Sequence, residues 1–426
     1  MLRVHDPCIS LQSRTPAPVT ARAIVILHDI QKLRVIDRNR RAWHRPGEPC
    51  CSMKKDTSRA GFPQGHRGLN AFVIWTAKAP MPRLPGLLLL AAASLSAQTV
   101  PPPDPIVQKI VGEISPDRIA ASIKKLAGFE TRGNYSNPSQ KTRGIGAARL
   151  WIFAQLQGYS QQLRVTYDVG RKRGTDVASV VAILPGSAQP EKRIIVSAHY
   201  DSVNLRATGD KAAEAPAPGA DDDASGTAVV LELARVMSRY RFRKTIVFIA
   251  FGGEEIGLVG SSGYASRAKA GNEQIEAVFN NDIVGSNVVG ITHDYILGGD
   301  DDPGGTDGDT GNRLRVYSPD PPDSPSRRLA RHTQDAAQRY VPVLKIELIS
   351  SADRYDRGGD QIPFQKNGYA AVRLTSASEH SLVQHTADDT PDGVSPQFTA
   401  NVARVNAAAI ASLAAPAALR RPTNGN

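Results

Sequence analysis

The feature that most constrains this chain runs from Arg193 to Met237. An apolar segment, Ile194-Ile195-Val196-Ser197-Ala198, ends at His199-Tyr200-Asp201, and a Pro/Gly/Ala-rich linker then leads to Asp221-Asp222-Asp223. A short apolar run bounded in this way fits a strand buried on both faces. Val229, Val230, Leu233, Val236 and Met237 then repeat at helical spacing. The segment reads as strand, loop and helix, with a histidine and an aspartate cluster at one edge.

The next apolar run, Thr245 to Phe251, leads into Gly252-Gly253-Glu254-Glu255, and Ala277 to Asn281 leads into Asp282. In open α/β sheets ligands sit beyond the carboxyl ends of the strands. Parallel neighbours therefore bring His199, Glu254, Glu255 and Asp282 together although the three strand ends that carry them lie well apart in sequence.

The rest of the chain supplies the frame for that edge. Ser115-Pro116 reads as an N-cap and first helical turn, with Ile119, Ile123 and Leu126 on one face and Gly128 as the stop. A second helix is expected over 145–157. Strands at 163–168 and 177–184, joined by Gly170 to Gly174, read as a hairpin. Further strands are expected at 313–317, 344–349 and 370–374, with helices over 324–340 and around Phe398, Val402, Val405 and Ala409. The sum is about eight strands with helices between them, an α/β domain over 115–415 ahead of a short tail, 416–426. No phosphate-binding glycine motif follows a strand, which excludes the common nucleotide-binding sites.

The excess of positive charge and all the cysteines lie near the start. Residues 1–80 hold 14 Lys and Arg against 5 Asp and Glu, a balance of +9 out of +11 for the whole chain, together with all three cysteines, Cys8, Cys50 and Cys51. The basic balance is thus a property of an N-terminal extension without periodicity or interleaved aromatics, and it gives no ground for a nucleic-acid partner. No disulfide or cysteine-based zinc site is possible beyond it. From Met81 to Ala97 a short positive start, an apolar run and small residues form the pattern of a secretory signal peptide. The run is too short to anchor the chain in a bilayer. The expectation is translation from Met81, a mature chain from about Gln98, a lead-in over 98–114, and a periplasmic or extracellular location.

Singly, the polar residues at the strand ends have ordinary explanations. His199 alone would be a satisfied core histidine, but Asp201 two residues on suits the carboxylate that holds a ligating imidazole. One aspartate suffices to cap a helix; three packed together repel unless a cation offsets them. Glu254-Glu255 is flanked by Phe251-Gly252-Gly253 and Ile256-Gly257-Leu258, which do not read as surface. His385, in Gln384-His385-Thr386-Ala387-Asp388-Asp389-Thr390, lies in a polar loop before the last helix. His293, His332 and His380 are weaker candidates. The loop 298–312, with five aspartates and six glycines, does not have the ligand spacing of an EF-hand.

The segments IVSAHYDSV, PGADDDASGTAVVLELARV, FGGEEIGLVGS, NNDIVG and QHTADDT resemble, in order, the metal-site segments of the bacterial leucyl aminopeptidase type of co-catalytic zinc peptidases, a group with glutamate carboxypeptidase-like members. The resemblance implies a three-layer αβα fold with a mixed, mostly parallel sheet. It also implies two zinc ions per chain: Asp222 bridging, His199 and Asp282 completing one site, Glu255 and His385 the other. Asp201 would orient His199, Glu254 would be the general base, and the Asp222-Asp223 peptide bond would be cis. The implied activity is hydrolysis of peptides, as an aminopeptidase, with carboxypeptidase or dipeptidase action as alternatives. A single-zinc acyltransferase of the glutaminyl cyclase kind, or a silent binding domain, would be expected to have lost ligands that this chain keeps. Departures from the pattern are Gly359-Asp360-Gln361, where many relatives read Ser-Asp-His, and Gln384, where some carry tyrosine.

Overall fold

Alternation along the central strands decides the architecture of the computed structural model, which describes residues 102–286, 311–319, 321–353 and 358–416. In β3 (Gln189–His199) the side chains of Ile194, Val196 and Ala198 enter one apolar core and Ile195 enters another. In β4 (Lys244–Phe251) Ile246, Phe248 and Ala250 enter the first core, while Val247, Ile249 and Phe251 enter the second. Side chains two apart share a face of a strand, so a sheet apolar on both faces must be covered on both.

The larger core is closed by α1 (Pro105–Gly112), α2 (Pro116–Ala127), α3 (Gly144–Tyr159), α4 (Gly226–Met237), α6 (Pro325–Tyr340) and α8 (Pro396–Ala414). The smaller is closed by α5 (Val259–Ala270) and α7 (Gln361–Lys366), where Phe251, Tyr264 and Phe364 meet with ring centroids 6.1–6.2 Å apart. The result is helix, sheet, helix.

The sheet has eight strands, completed by β1 (Arg164–Lys172), β2 (Thr175–Leu184), β5 (Gln274–Asn281), β6 (Arg313–Tyr317), β7 (Lys345–Ile349) and β8 (Ala371–Ser376), in the order β1-β2-β4-β3-β5-β8-β6-β7. The central four, β4, β3, β5 and β8, are mutually parallel, whereas β1, β2 and β6 pair antiparallel with their inner neighbours. Because β3 lies between β4 and β5, the chain leaves it to opposite sides. That reversal is where an α/β sheet opens a crevice at its carboxyl edge. His199 pairs with Phe251, and Ser197 with Asn280, so the ends of β3, β4 and β5 are level.

Several local features differ from the sequence reading. The fold begins in the segment read as a lead-in: Asp104 caps α1 by accepting from the Ile106 and Val107 amides, and Val107, Ile110 and Val111 are buried. An eight-residue helix is too short to show periodicity. The hairpin turn is only Arg173-Gly174, both at positive φ, because β1 continues to Lys172. The helices α5 and α7 were not expected; α5, VGSSGYASRAKA, is rich in weak helix formers and is held by packing. The tract 1–101, with the signal-like run, lies outside the described residues, as do His293, most of the 298–312 loop and most of the tail. No helix among the described residues is long and apolar enough to cross a membrane.

Candidate metal centre

The three aspartates before α4 have three destinations. They form a wide turn, Ala220–Ser225, instead of the first turn of a helix, and the Asp222-Asp223 peptide bond is cis. Asp221 accepts from the Gly285 amide at 2.8 Å. Asp223 accepts from the amides of His199 at 3.2 Å, Gly226 at 2.9 Å and Ile283 at 3.3 Å, tying together the end of β3, the start of α4 and the segment after β5. Only Asp222 presents its carboxylate to the other candidate ligands. Gly219 begins the turn at φ 51°, where a Cβ would stand 2.5 Å from the Asp222 carbonyl oxygen, so glycine is required there.

Asp222 faces a different histidine with each oxygen. Its Oδ1 is 3.1 Å from His199 Nε2 and its Oδ2 is 3.0 Å from His385 Nε2. Asp282 Oδ1 is 3.8 Å from His199 Nε2, and Glu255 Oε1 is 3.4 Å from His385 Nε2. Two triads result, His199, Asp222 and Asp282, and Asp222, Glu255 and His385; within each, one donor atom per residue lies within 4.8 Å of the others. Glu255 Oε1 is buried without a hydrogen-bond partner. Such an oxygen is costly unless a cation meets it, and imidazole nitrogen with carboxylate oxygen is a zinc donor set. The residues therefore fit two zinc ions sharing one carboxylate.

Asp201 lies behind both the histidine and the glutamates. Its carboxylate accepts the Glu254 amide at 3.2 Å, the Glu255 amide at 3.1 Å and Asn134 Nδ2 at 2.6 Å. His199 Nδ1 is 3.1 Å from the Asp201 carbonyl oxygen and 3.7 Å from Oδ1. One aspartate thus fixes the imidazole of one triad and the backbone that carries the other's glutamate.

The electrostatics follow from burial and from these pairs. For Asp222 burial works upward, but His199 and His385 outweigh it and hold the carboxyl well below its usual range. For Asp282 burial is likewise outweighed, by Arg373 and then His199. For Glu255 burial outweighs the pull of His385 and pushes the carboxyl up to about 7. Glu254 is partly buried; burial, then the charges of Glu255, Asp282 and Asp360, hold its carboxyl well above the ordinary value against the pull of His199. Asp360 is fully buried in the same acidic surroundings, and burial pushes it up to about 7.

Some of these partners carry no signal in the sequence. Arg132, fully buried, donates to the carbonyls of Tyr200 at 2.6 Å, Leu126 at 3.2 Å and Gly219 at 2.8 Å, and to that of Pro218. Arg373 on β8 joins Asp282 Oδ1 at 3.2 Å to Asp353 Oδ2 at 2.6 Å. Asp389 accepts the amides of Asp221 and Asp222 at 2.9 and 3.0 Å; the QHTADDT segment contains it, but nothing distinguished it from Asp388. Of the weaker histidines, His332 is partly buried and lies 3.0 Å from the Ala409 carbonyl oxygen on α8, away from the triads. Gln361 and Gln384 are buried in amide hydrogen bonds, the first to Asn280 and Ala352, the second to Glu379.

A model of Peptidase family M28 matches residues 179–410, which include both triads. A protein of Pyricularia oryzae named probable zinc metalloprotease is 38% identical over 356 residues, covering 75% of this chain and 69% of its own length. The fold is similar to that of an aminopeptidase from Aneurinibacillus sp. strain AM-1, with TM-score 0.53, 18% identity and coverage of 73% and 97%. It is also similar to that of a glutaminyl cyclase from Fimbriiglobus ruber, with TM-score 0.52, 20% identity and coverage of 70% and 95%. On the family match, and on identity to a relative that it spans for more than two thirds of its length, the chain belongs to Peptidase family M28.

Proposed function

We propose that this peptidase is a two-zinc aminopeptidase, and the observation that carries the reading is the Asp222 carboxylate shared between two ligand triads beside Glu254. His199, Asp282 and Asp222 would hold one ion, and Glu255, His385 and Asp222 the other. Zinc held there would supply Lewis acidity toward the scissile carbonyl and lower the pKa of the attacking water.

The remaining chemistry belongs to the chain. Glu254, its carboxyl held well above the ordinary range by burial and by neighbouring acids, is a stronger base than a solvated carboxylate. Its carboxylate takes the proton of the attacking water and returns it to the leaving amine. Asp201 holds the Glu254 and Glu255 amides in place and orients His199. The second complete triad supports the two-zinc reading over a one-zinc cyclase.

The acidic surroundings support a free amino terminus as the bound end. Asp201, Asp223, Glu254, Asp360 and Asp389 cluster with the three proposed carboxylate ligands, against the buried cations Arg132 and Arg373. Ionised together, these eight carboxylates exceed the summed charge of Arg132, Arg373 and two zinc ions, which favours a bound ammonium group over a terminal carboxylate. Export is part of the proposal, supported by the signal-like run from Met81 to Ala97.

The test is zinc content of the chain from Gln98 onward, with hydrolysis of matched peptides bearing a free or a blocked amino terminus. Two zinc ions and cleavage of only the free-amine peptide are expected. One zinc without hydrolysis would favour the cyclase reading, and cleavage of the blocked peptide at its carboxyl end would refute the aminopeptidase assignment.

A further inference from the structure

We propose that Lys172, at the tip of the hairpin of β1 and β2, binds a carboxylate of the peptide substrate on the leaving side of the scissile bond. The chain would then prefer peptides that present such a carboxylate at the third or fourth residue. The inference rests on the aminopeptidase reading above.

The hairpin overruns the carboxyl edge of the sheet. Val180 of β2 stands opposite Ala250 of β4 in an antiparallel pair, so the residues before Val180 continue past the end of β4. Ala178 and Val177 lie against Gly252 and Gly253, where an added Cβ would stand 2.9 Å from the Ala178 carbonyl oxygen and 2.7 Å from Val177 Cγ1. The last rung of the hairpin, Lys172 opposite Thr175, therefore lies alongside the turn that carries Glu254 and Glu255. An ion pair of Asp168 on β1 with Arg267 on α5 fastens the strand there.

The Lys172 side chain is set onto that turn. Its ammonium donates to the carbonyl of Ile256, the residue after Glu255. Gly257, at φ 103°, would bring an added Cβ to 2.9 Å from Nζ, so the close approach depends on glycine. The turn is closed by the Gly257 and Leu258 amides, which donate to the Glu254 carbonyl at 2.8 and 3.0 Å.

One N–H would satisfy the Ile256 carbonyl, and a neutral donor would serve. An ammonium has three donors, and no carboxylate among the described residues is in ion-pair contact with this one, although it is partly buried. Arg171, one residue earlier, differs. It projects from the other face of the strand, is exposed, and is paired with Asp176 at 2.7 Å. A partly buried cation with donors that no described residue takes up is suited to an anion brought in from outside.

Its position selects the part of the substrate that supplies the anion. From the proposed ligand Glu255 to the Ile256 carbonyl is one glutamate side chain and one residue of main chain, a span that extended peptide covers in about two to three residues at about 3.3 Å each. The amino end of the substrate is placed among the acids, so the carboxylate belongs to the leaving side. It is the carboxyl end of a tri- or tetrapeptide, or an acidic side chain at the third or fourth residue.

The experiment compares kcat and KM of the zinc-loaded full chain on two series of free-amine peptides. Tri- and tetrapeptides ending in carboxylate or in amide read a terminal carboxylate; amidated hexapeptides with Glu or Gln at the third or fourth residue read an acidic side chain. A preference of about tenfold for the carboxylate member, carried by KM, is expected in at least one series. Lys172→Met and Lys172→Gln, the second retaining a neutral side-chain donor, should abolish the preference with zinc content at the wild-type level. Lys172→Arg should keep it, and so should Arg171→Gln. Equal kinetics on both members of every pair, a preference that survives Lys172→Gln, or its loss in Arg171→Gln overturns the proposal and leaves the aminopeptidase reading intact. Equal slowing on both members in the Lys172 variants would show a structural role only, which also overturns it. Absence of hydrolysis of every free-amine peptide overturns both.

Discussion

His385 Nε2 stands 3.0 Å from Asp222 Oδ2, and this contact brings the loop after β8 onto the turn before α4. The second Asp222 oxygen faces His199 from the end of β3. A single carboxylate is therefore the point at which segments from distant parts of the chain converge, and the function of the site depends on how that carboxylate is held.

Replacing Asp222 by alanine removes the shared member of both triads. Bound zinc measured by mass spectrometry is expected to fall from two ions per chain to none, because each remaining pair of ligands lacks the third donor that zinc needs. Retention of both ions in this variant would refute the bridging role.

Glu254 has a different task and a different signature. Glu254→Gln leaves every proposed ligand in place, so zinc content should be unchanged while turnover drops by about 100- to 10,000-fold, the range for a general acid–base group. Normal turnover in a variant shown to carry its metal would exclude Glu254 as the base.

Asp389 supports the turn without facing the metal position. Asp389→Ala removes the acceptor for the Asp221 and Asp222 amides and is expected to cost about 1–3 kcal/mol for each buried amide left unpaired. Chemical denaturation should show the loss of stability, and zinc affinity should weaken with it. An unchanged denaturation midpoint would show that the turn holds itself.

Metal removal is expected to lower the melting temperature. Without cations the buried acids around Asp222 repel one another, and a ligand that binds only the folded chain at a hundredfold excess over its Kd stabilises it by about 2.7 kcal/mol. Dialysis against a chelator should shift the transition down by several degrees and added zinc should restore it. A transition insensitive to both would mean that the triads do not hold metal in the folded chain.

Arg132 makes a stability prediction independent of metal. Arg132→Met leaves the carbonyls of Tyr200, Leu126, Pro218 and Gly219 without their donor. A loss of about 3 kcal/mol or more is expected, read from the denaturation curve of the metal-free chain.

The extent to which the fold was legible in the sequence follows from the signals each element carries. The strands β3, β4 and β5 are visible as apolar runs because they are buried on both faces, and α2 is visible through its Ser115 cap and regular apolar face. The short α1, the serine- and glycine-rich α5 and the six-residue α7 carry little periodic signal and are stabilised by what they pack against. The candidate ligands stood out because acids and histidines at the ends of apolar strands are unusual. Their supports did not: an arginine at 132 or 373 looks like any surface arginine until the fold encloses it.

The sequence by itself determined a two-faced apolar sheet with strand ends bearing His199, Glu254, Glu255 and Asp282, since burial pattern and residue type are local properties. Only the tertiary structure decided that Asp222, not Asp221 or Asp223, turns its carboxylate to both histidines, and that Arg373 touches Asp282. Those choices depend on where backbone amides and buried charges from other segments arrive, and such distances exist only once the chain has closed around them.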